Sequence, residues 1–216
     1  MHQSLYQILI YVVPLIFAIT LHEAAHGWMA RRYGDPTPAM LGRVTLNPIP
    51  HIDLVGTILE PGLLLLGSAF TGFGGVLLGW AKPVPINTRN LRPFRQGMLM
   101  VALAGPVSNL LQAVAWLALL KLFIVSGLIT QSLLDLTIAG VFVNFYLMAF
   151  NLLPLPPLDG GRIVTMLLPY NAAVRFAQLE RYGMLILVVL ILSGLMTMFM
   201  KPFVAMAQTM LSWVLF

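Results

Sequence analysis

The sequence predicts an all-α polytopic membrane protein with about five to six transmembrane or re-entrant segments. Three observations carry this reading. Hydrophobic residues make up 59% of the 216 and charged residues 9%, against about a quarter charged in soluble domains. Apolar runs such as Met184–Met200 carry no charge until Lys201 and approach the thickness of a hydrocarbon core. Polar, Pro- and Gly-rich stretches punctuate those runs. The chain has no cysteine, which excludes a disulfide framework, a thiolate metal site and a cysteine nucleophile.

The first segment, about Leu5–Arg32, is a helix. It lacks a basic n-region and a small-residue cleavage site, so it is retained rather than removed as a signal. Tyr33–Ile52 is a loop, and Gly42–Leu46 within it supplies a short strand. Leu54–Trp80 is apolar but interrupted by Glu60-Pro61 and several glycines. It reads either as a re-entrant hairpin or as a plain spanning helix. Ala81–Gln96 is a polar loop with Lys82, Arg89, Arg92 and Arg95. Gly97–Val125 is a helix carrying Gly105-Pro106. Leu133–Leu153 is another, ended by Pro154, Pro156 and Pro157. Leu158–Leu168 forms a short helix after the prolines. Arg175–Met200 and Phe203–Phe216 give one full and one short C-terminal helix. The whole chain, 1–216, reads as one domain without an internal repeat.

Of twelve Lys and Arg, only Lys121 and Lys201 fall outside one set of loops and helix ends. The positive-inside rule puts Arg31, Arg32, Arg43, Lys82, Arg89, Arg92, Arg95, Arg162, Arg175 and Arg181 on the cytoplasmic side. The net charge of +5 therefore reports orientation in the lipid bilayer. No aromatic-basic interleaving points to nucleic acid. Trp80, Trp116 and Trp213 are expected near the membrane interfaces.

His22-Glu23-Ala24-Ala25-His26 carries the chemistry. Helical positions i and i+4 share a face, so both imidazoles can reach one metal ion. Glu23, beside the first ligand, can take a proton from a metal-bound water. Zinc suits such ligands in a tetrahedral site with one open position. Ionisable groups inside an apolar segment are costly and mark function.

Two histidines leave a third ligand to find among His2, His51, Asp35, Asp53, Glu60, Asp135, Asp159 and Glu180. Asp159 stands out in Asn151–Arg162, NLLPLPPLDGGR, where prolines break the helix and glycines let backbone pack closely. A helix cap explains the same aspartate equally well. His51 and Asp53, in a loop, are further candidates for touching metal or substrate.

HEAAH in a first helix, GPVSN at Gly105–Asn109 and NLLPLPPLDGG at Asn151–Gly161 occur together in this order. The chain resembles the site-2 protease family of intramembrane metalloproteases along nearly its whole length, and most closely the short members without PDZ or CBS domains. The resemblance implies a three-helix metalloprotease core of about 5–32, 97–125 and 133–168, with a small β-hairpin after the first helix to which Gly42–Leu46 contributes. It implies one zinc ion per chain on His22, His26 and Asp159, and Glu23 as general base. Asn151 would stabilise the oxyanion or position substrate, and Asn109 would line the active site. The implied substrates are membrane-anchored proteins cut within or near their transmembrane segments. The implied site opens to the cytoplasm; a compact chain without targeting sequences fits a prokaryotic plasma membrane, with an organelle membrane as the alternative. Leu54–Trp80 has no counterpart in that core, and the sequence carries no reading of oligomeric state.

Two other classes share some of these features. A metal transporter also sets His and carboxylates at helix breaks, but many transporters show internal repeats and none is present here. A non-catalytic relative that only binds membrane proteins has no use for the intact Glu23.

Overall fold

The computed structural model describes residues 2–52 and 82–216. The inserted segment 54–80, with Glu60, and the neighbouring Asp53 lie outside the described residues. Within them the chain forms α1 (His2–Arg32), α2 (Thr37–Met40), α3 (Phe94–Val125), α4 (Gln131–Leu152), α5 (Asp159–Leu167), α6 (Tyr170–Ala177), α7 (Gly183–Leu192) and α8 (Leu195–Leu215). Short 3₁₀ turns occupy Ile49–His51, Thr88–Asn90 and Gln178–Tyr182.

Leu9–Arg32, α3 and α4 are each long and apolar enough to cross a membrane. A fourth span follows if Tyr170–Leu192 and Leu195–Leu215, bent by 77°, count as one. The described residues thus hold three or four spans rather than five to six. The C-terminal run expected to be one helix over 175–200 is divided, because Gly194 adopts φ +74 and turns the chain between α7 and α8.

No strand occurs among the described residues, and Gly42–Leu46 is turn and bend. The physical reason is Gly42. It adopts φ +66 and closes α2 in a Schellman motif, with Gly42 N–H on the Ala39 carbonyl (3.0 Å) and Arg43 N–H on that of Pro38 (2.8 Å). A left-handed residue there interrupts any strand. The same device ends α1. Gly34 at φ +98 donates to Arg31 O at 3.2 Å, and Asp35 N–H reaches Ala30 O at 2.9 Å. Arg31 and Arg32 in the last turn complement the negative end of the helix dipole.

Helices α1, α3 and α4 pack on one another. Lipid tails are as apolar as leucine, so close packing rather than water exclusion holds such helices together. Small buried residues permit the approach: Ala18, Ala102, Ala104, Ala113, Ala139 and Ala149 all lie inside. Gly140 of α4 opens a slot for the Trp116 indole, which a Cβ there would strike. Trp116 is therefore a half-buried packing residue, while Trp213 is 75% exposed. A second apolar cluster joins Ala113, Leu117 and Leu120 of α3 to Phe145 and Met148 of α4 and Leu211 of α8.

The two ends of the bundle differ. At one end Tyr6 Oη donates to Asp135 Oδ2 at 2.8 Å, and Lys121 Nζ to Val214 O at 3.2 Å. At the other, Arg95 of α3 holds the carbonyls of Met166 (2.5 Å) and Leu168 (2.6 Å) that end α5. Arg92 N–H meets Tyr33 O at 2.9 Å beyond α1. The candidate site lies toward this second, arginine-rich end.

Candidate metal centre

His22 and His26 stand one turn apart on α1, both buried. Helix α3 runs against them at Gly105, where a Cβ would lie 2.5 Å from His22 Nε2 and from His26 Nε2. Glycine is thus what lets a second helix back pass directly behind the two rings. Asp159 reaches them from the far side. Pro154 and Pro156 end α4, and α5 begins at Asp159 itself with Leu158 as its N-cap and no side-chain cap bond. A Cβ on Gly160 would collide with the Leu152 and Leu153 carbonyls, and one on Gly161 with the backbone of Leu155 and Pro156. The two glycines therefore fold α5 back onto the helix break. The carboxylate turns to the histidines and does not cap its helix.

The three side chains form a near-equilateral triangle. His22 Nε2 and His26 Nε2 are 3.0 Å apart, and each is 3.2 Å from Asp159 Oδ2. Among the described residues this is the one group of three metal-ligating side chains with all ligand atoms within 4.8 Å. The outer nitrogens fix the tautomers. His22 Nδ1 donates to Asn109 Oδ1 at 2.6 Å, and His26 Nδ1 to the Val101 carbonyl at 2.7 Å. Both Nε2 lone pairs are then free and face each other and a carboxylate oxygen. Asp159 Oδ2 is buried without a hydrogen-bond donor among the described residues. Three lone pairs at this spacing repel unless a cation sits among them. Tetrahedral zinc with bonds near 2.0–2.1 Å sets its ligands roughly 3.3 Å apart, so the donor set fits that ion.

Behind the triangle lies a polar chain through three helices. Asn109 of α3 donates through Nδ2 to Asn144 Oδ1 at 3.0 Å and to Ala18 O at 3.3 Å. Asn144 of α4 donates in turn to Gly140 O at 2.9 Å. Both asparagines are completely buried. Asn109, expected to line the site, instead stands behind His22 and holds its ring. Asn144 is a site residue that the sequence reading missed. Its signal was its seven-residue spacing from Asn151, which puts the two near one face of α4.

In front lies a cavity of about 330 Å³ lined by His22, Glu23, His26, Asn151, Asp159 and Arg162, closed on one side by Pro83, Val84 and Ile86. Glu23 is half-buried there, and its Oε2 accepts from the Val84 backbone amide at 2.9 Å. Asn151 Nδ2 donates to Leu147 O at 3.0 Å. Arg162 lies 4.0 Å from Asp159 Oδ1, the carboxylate oxygen turned away from the histidines.

The other ligand candidates fall elsewhere. Asp35 is a loop staple, Asp135 is at the opposite end with Tyr6, and Glu180 is exposed. His51 is buried. Burial, aided by nearby Arg43 and opposed by Thr45 and Glu23, holds its imidazole below the ordinary histidine pKa.

Residues 124–194, which include Asn144, Asn151 and Asp159, match the sequence model of Peptidase family M50. The chain is also 39% identical over 189 residues to "Putative zinc metalloprotease YwhC" of Bacillus subtilis strain 168, spanning 85% of this chain and 80% of that relative. The chain belongs to peptidase family M50, the site-2 proteases. Other relatives are longer. "Putative zinc metalloprotease Rip2" of Mycolicibacterium smegmatis is 30% identical over 185 residues, covering 82% of this chain and 64% of Rip2. "Zinc metalloprotease MJ0392" of Methanocaldococcus jannaschii is 24% identical over 207 residues, covering 92% of this chain and 46% of that protein. No solved structure matches.

Proposed function

We propose that this M50 protease is an intramembrane zinc endopeptidase that cuts membrane-anchored proteins within or beside their transmembrane segments. The observation that carries the reading is the triangle of His22 Nε2, His26 Nε2 and Asp159 Oδ2, with edges of 3.0–3.2 Å and both histidine tautomers set to offer Nε2. These three residues would hold one zinc ion per chain. When bound, the ion polarises the scissile carbonyl and acidifies water to a pKa near 7.

The remaining steps belong to the chain. Glu23 in the same cavity accepts a proton from the attacking water and returns it to the leaving amine. Asn151, on the α4 wall of that cavity, donates its amide to the developing oxyanion. A substrate helix unwinds to enter, because hydrogen-bonded helical peptide groups are shielded from attack. The arginine-rich end of the bundle is the cytoplasmic end by the positive-inside rule, so the site opens to the cytoplasm, in a prokaryotic plasma membrane.

Metal content of the purified protein and a cleavage assay test this together. Wild type carries stoichiometric zinc, and Asp159→Ala loses it. Glu23→Gln keeps the zinc and loses cleavage by roughly a hundredfold or more, the range for removing general acid–base catalysis. Normal turnover by Glu23→Gln sinks the mechanism, and full zinc in Asp159→Ala sinks the ligand set.

A further inference from the structure

Segment 82–87, Lys-Pro-Val-Pro-Ile-Asn, crosses the front of the cavity. Pro83 and Pro85 fix their own φ and hold the residues before them extended. The prolines also leave few backbone donors, and three of these have assigned partners. Lys82 N–H meets His51 O at 3.0 Å, Val84 N–H meets Glu23 Oε2 at 2.9 Å, and Asn87 N–H meets Asp35 Oδ2 at 2.7 Å.

A buried ionic side chain holds each end. Arg43 Nη2 donates to the carbonyls of Lys82 (2.6 Å) and Pro83 (3.0 Å), and its Nη1 to that of Pro50. Asp35, 0% exposed, accepts from Asn87 N–H, from Asn90 Nδ2 at 3.0 Å, and from Thr37 N and Oγ1 at 3.1 and 2.5 Å. Burying a charge is costly unless it is fully hydrogen-bonded. Each charge ties one end of the segment to neighbouring loop, Arg43 joining Lys82 and Pro83 to Pro50 and Asp35 joining Asn87 to Thr37 and Asn90. Gly27 of α1 lets the Pro38–Val44 loop that carries Arg43 lie close, since a Cβ there would stand 3.0 Å from Val44 Cγ2 and 3.1 Å from Pro38 Cβ. Midway between the two clamps, the segment offers one amide to the carboxylate of Glu23.

We infer that Arg43 and Asp35 are positioning residues: from opposite ends of 82–87 they fix the Val84 amide against Glu23 and so orient the general base. The inference rests on the role proposed for Glu23. A glutamate carboxylate on three rotatable bonds samples many rotamers, and one fixed donor on Oε2 removes most of them. The clamps thus act on the chemical step and leave zinc binding to α1 and α5.

Val84→Pro tests this directly, because it deletes the one N–H in an already extended Pro-X-Pro setting. It keeps stoichiometric zinc, leaves KM within about twofold and lowers kcat by about tenfold or more, within the range for misplacing a catalytic group. Val84→Ala, which trims the side chain but keeps the amide, loses severalfold less. Arg43→Gln and Asp35→Asn show the same split of kcat from KM. In both, hydrogen exchange across 82–93 speeds up at full zinc occupancy, a readout independent of turnover. Unchanged kcat in Val84→Pro overturns the inference. If that variant does not fold, Asp35→Asn decides, and a raised KM with wild-type kcat there overturns it equally. Glu23→Gln separates the two levels: if it is dead while Val84→Pro is normal, only the strap role falls. If Glu23→Gln turns over, the function itself falls.

Discussion

The back and the front of this site are held by different chemistry. Behind the histidines, order comes from side chains within helices. Asn109 grips His22, Asn144 grips Asn109, and both are buried between α1, α3 and α4. In front, order comes from loop backbone, with an amide of Val84 on Glu23 and carbonyls of Lys82 and Pro83 on Arg43. The three side chains that could hold a metal ion therefore sit on helices, whereas Glu23, the proposed base, is shared with loop backbone at the front of the cavity. Metal binding and turnover are separable in such an arrangement, and variants on each side test it.

The largest effect is expected at the back, from Gly105→Ala. Its Cβ would stand 2.5 Å from both ligand nitrogens, and those rings cannot yield freely because Asn109 and Val101 hold their far sides. Zinc affinity should fall by more than the roughly 10–100-fold typical of losing an outer hydrogen-bond partner. Zinc titration checks this, and near-normal affinity would mean that the rings move aside.

Asn109→Ala comes next. It releases His22 Nδ1 and with it the tautomer that offers Nε2, so zinc should weaken roughly 10–100-fold. The residual enzyme, assayed at saturating zinc, should recover much of its kcat, because Glu23 and its strap are untouched. A kcat that stays low at saturating zinc would place Asn109 in the chemistry instead.

How much of this was legible beforehand follows the same division. HEAAH was visible because charge in an apolar helix is rare and the i, i+4 spacing has one geometric meaning. Asp159 was visible only as one of two readings. What decides it is tertiary: Gly160 and Gly161 lie against the backbone of Leu152–Pro156, which no local pattern reveals. The strand expected at Gly42–Leu46 failed on one left-handed glycine, read as part of a strand when it closes α2. Val84 carries no signal, since its contribution is a backbone N–H that every residue but proline has. Asp35 was read as a possible ligand because a sequence shows a carboxylate but not its donors.

Asn144→Leu should have a smaller effect. It removes an acceptor from Asn109 Nδ2 while Ala18 O still takes a bond from the same group. Interhelical hydrogen bonds in membranes average about 0.6 kcal/mol, which corresponds to about a threefold change in zinc affinity or folding equilibrium. A loss as large as that of Asn109→Ala would show the two asparagines act as one unit, and a double variant would then add nothing.

The smallest effect concerns the front alone and, in the wild type, appears only in acid. Burial pushes the Asp35 carboxyl up, but donors from Thr37, Asn90 and the Thr37 and Asn87 amides outweigh it, and its pKa falls below the ordinary value. A carboxyl whose folded pKa lies under its unfolded value of about 3.9 stabilises the fold fully above that value. The contribution fades as pH falls through the folded pKa. Stability of the 82–93 loop, followed by hydrogen exchange corrected for intrinsic rate, should therefore be level above about pH 5 and decline below about pH 4. In Asp35→Asn the loop should be weaker throughout and the acid decline should be reduced. Zinc released in the same acid range reports the protonation of its own ligands, so the loop must be read at fixed zinc occupancy. Loss of loop protection that follows zinc release rather than Asp35 would mean that the front of the site is held by the metal and not by the clamps.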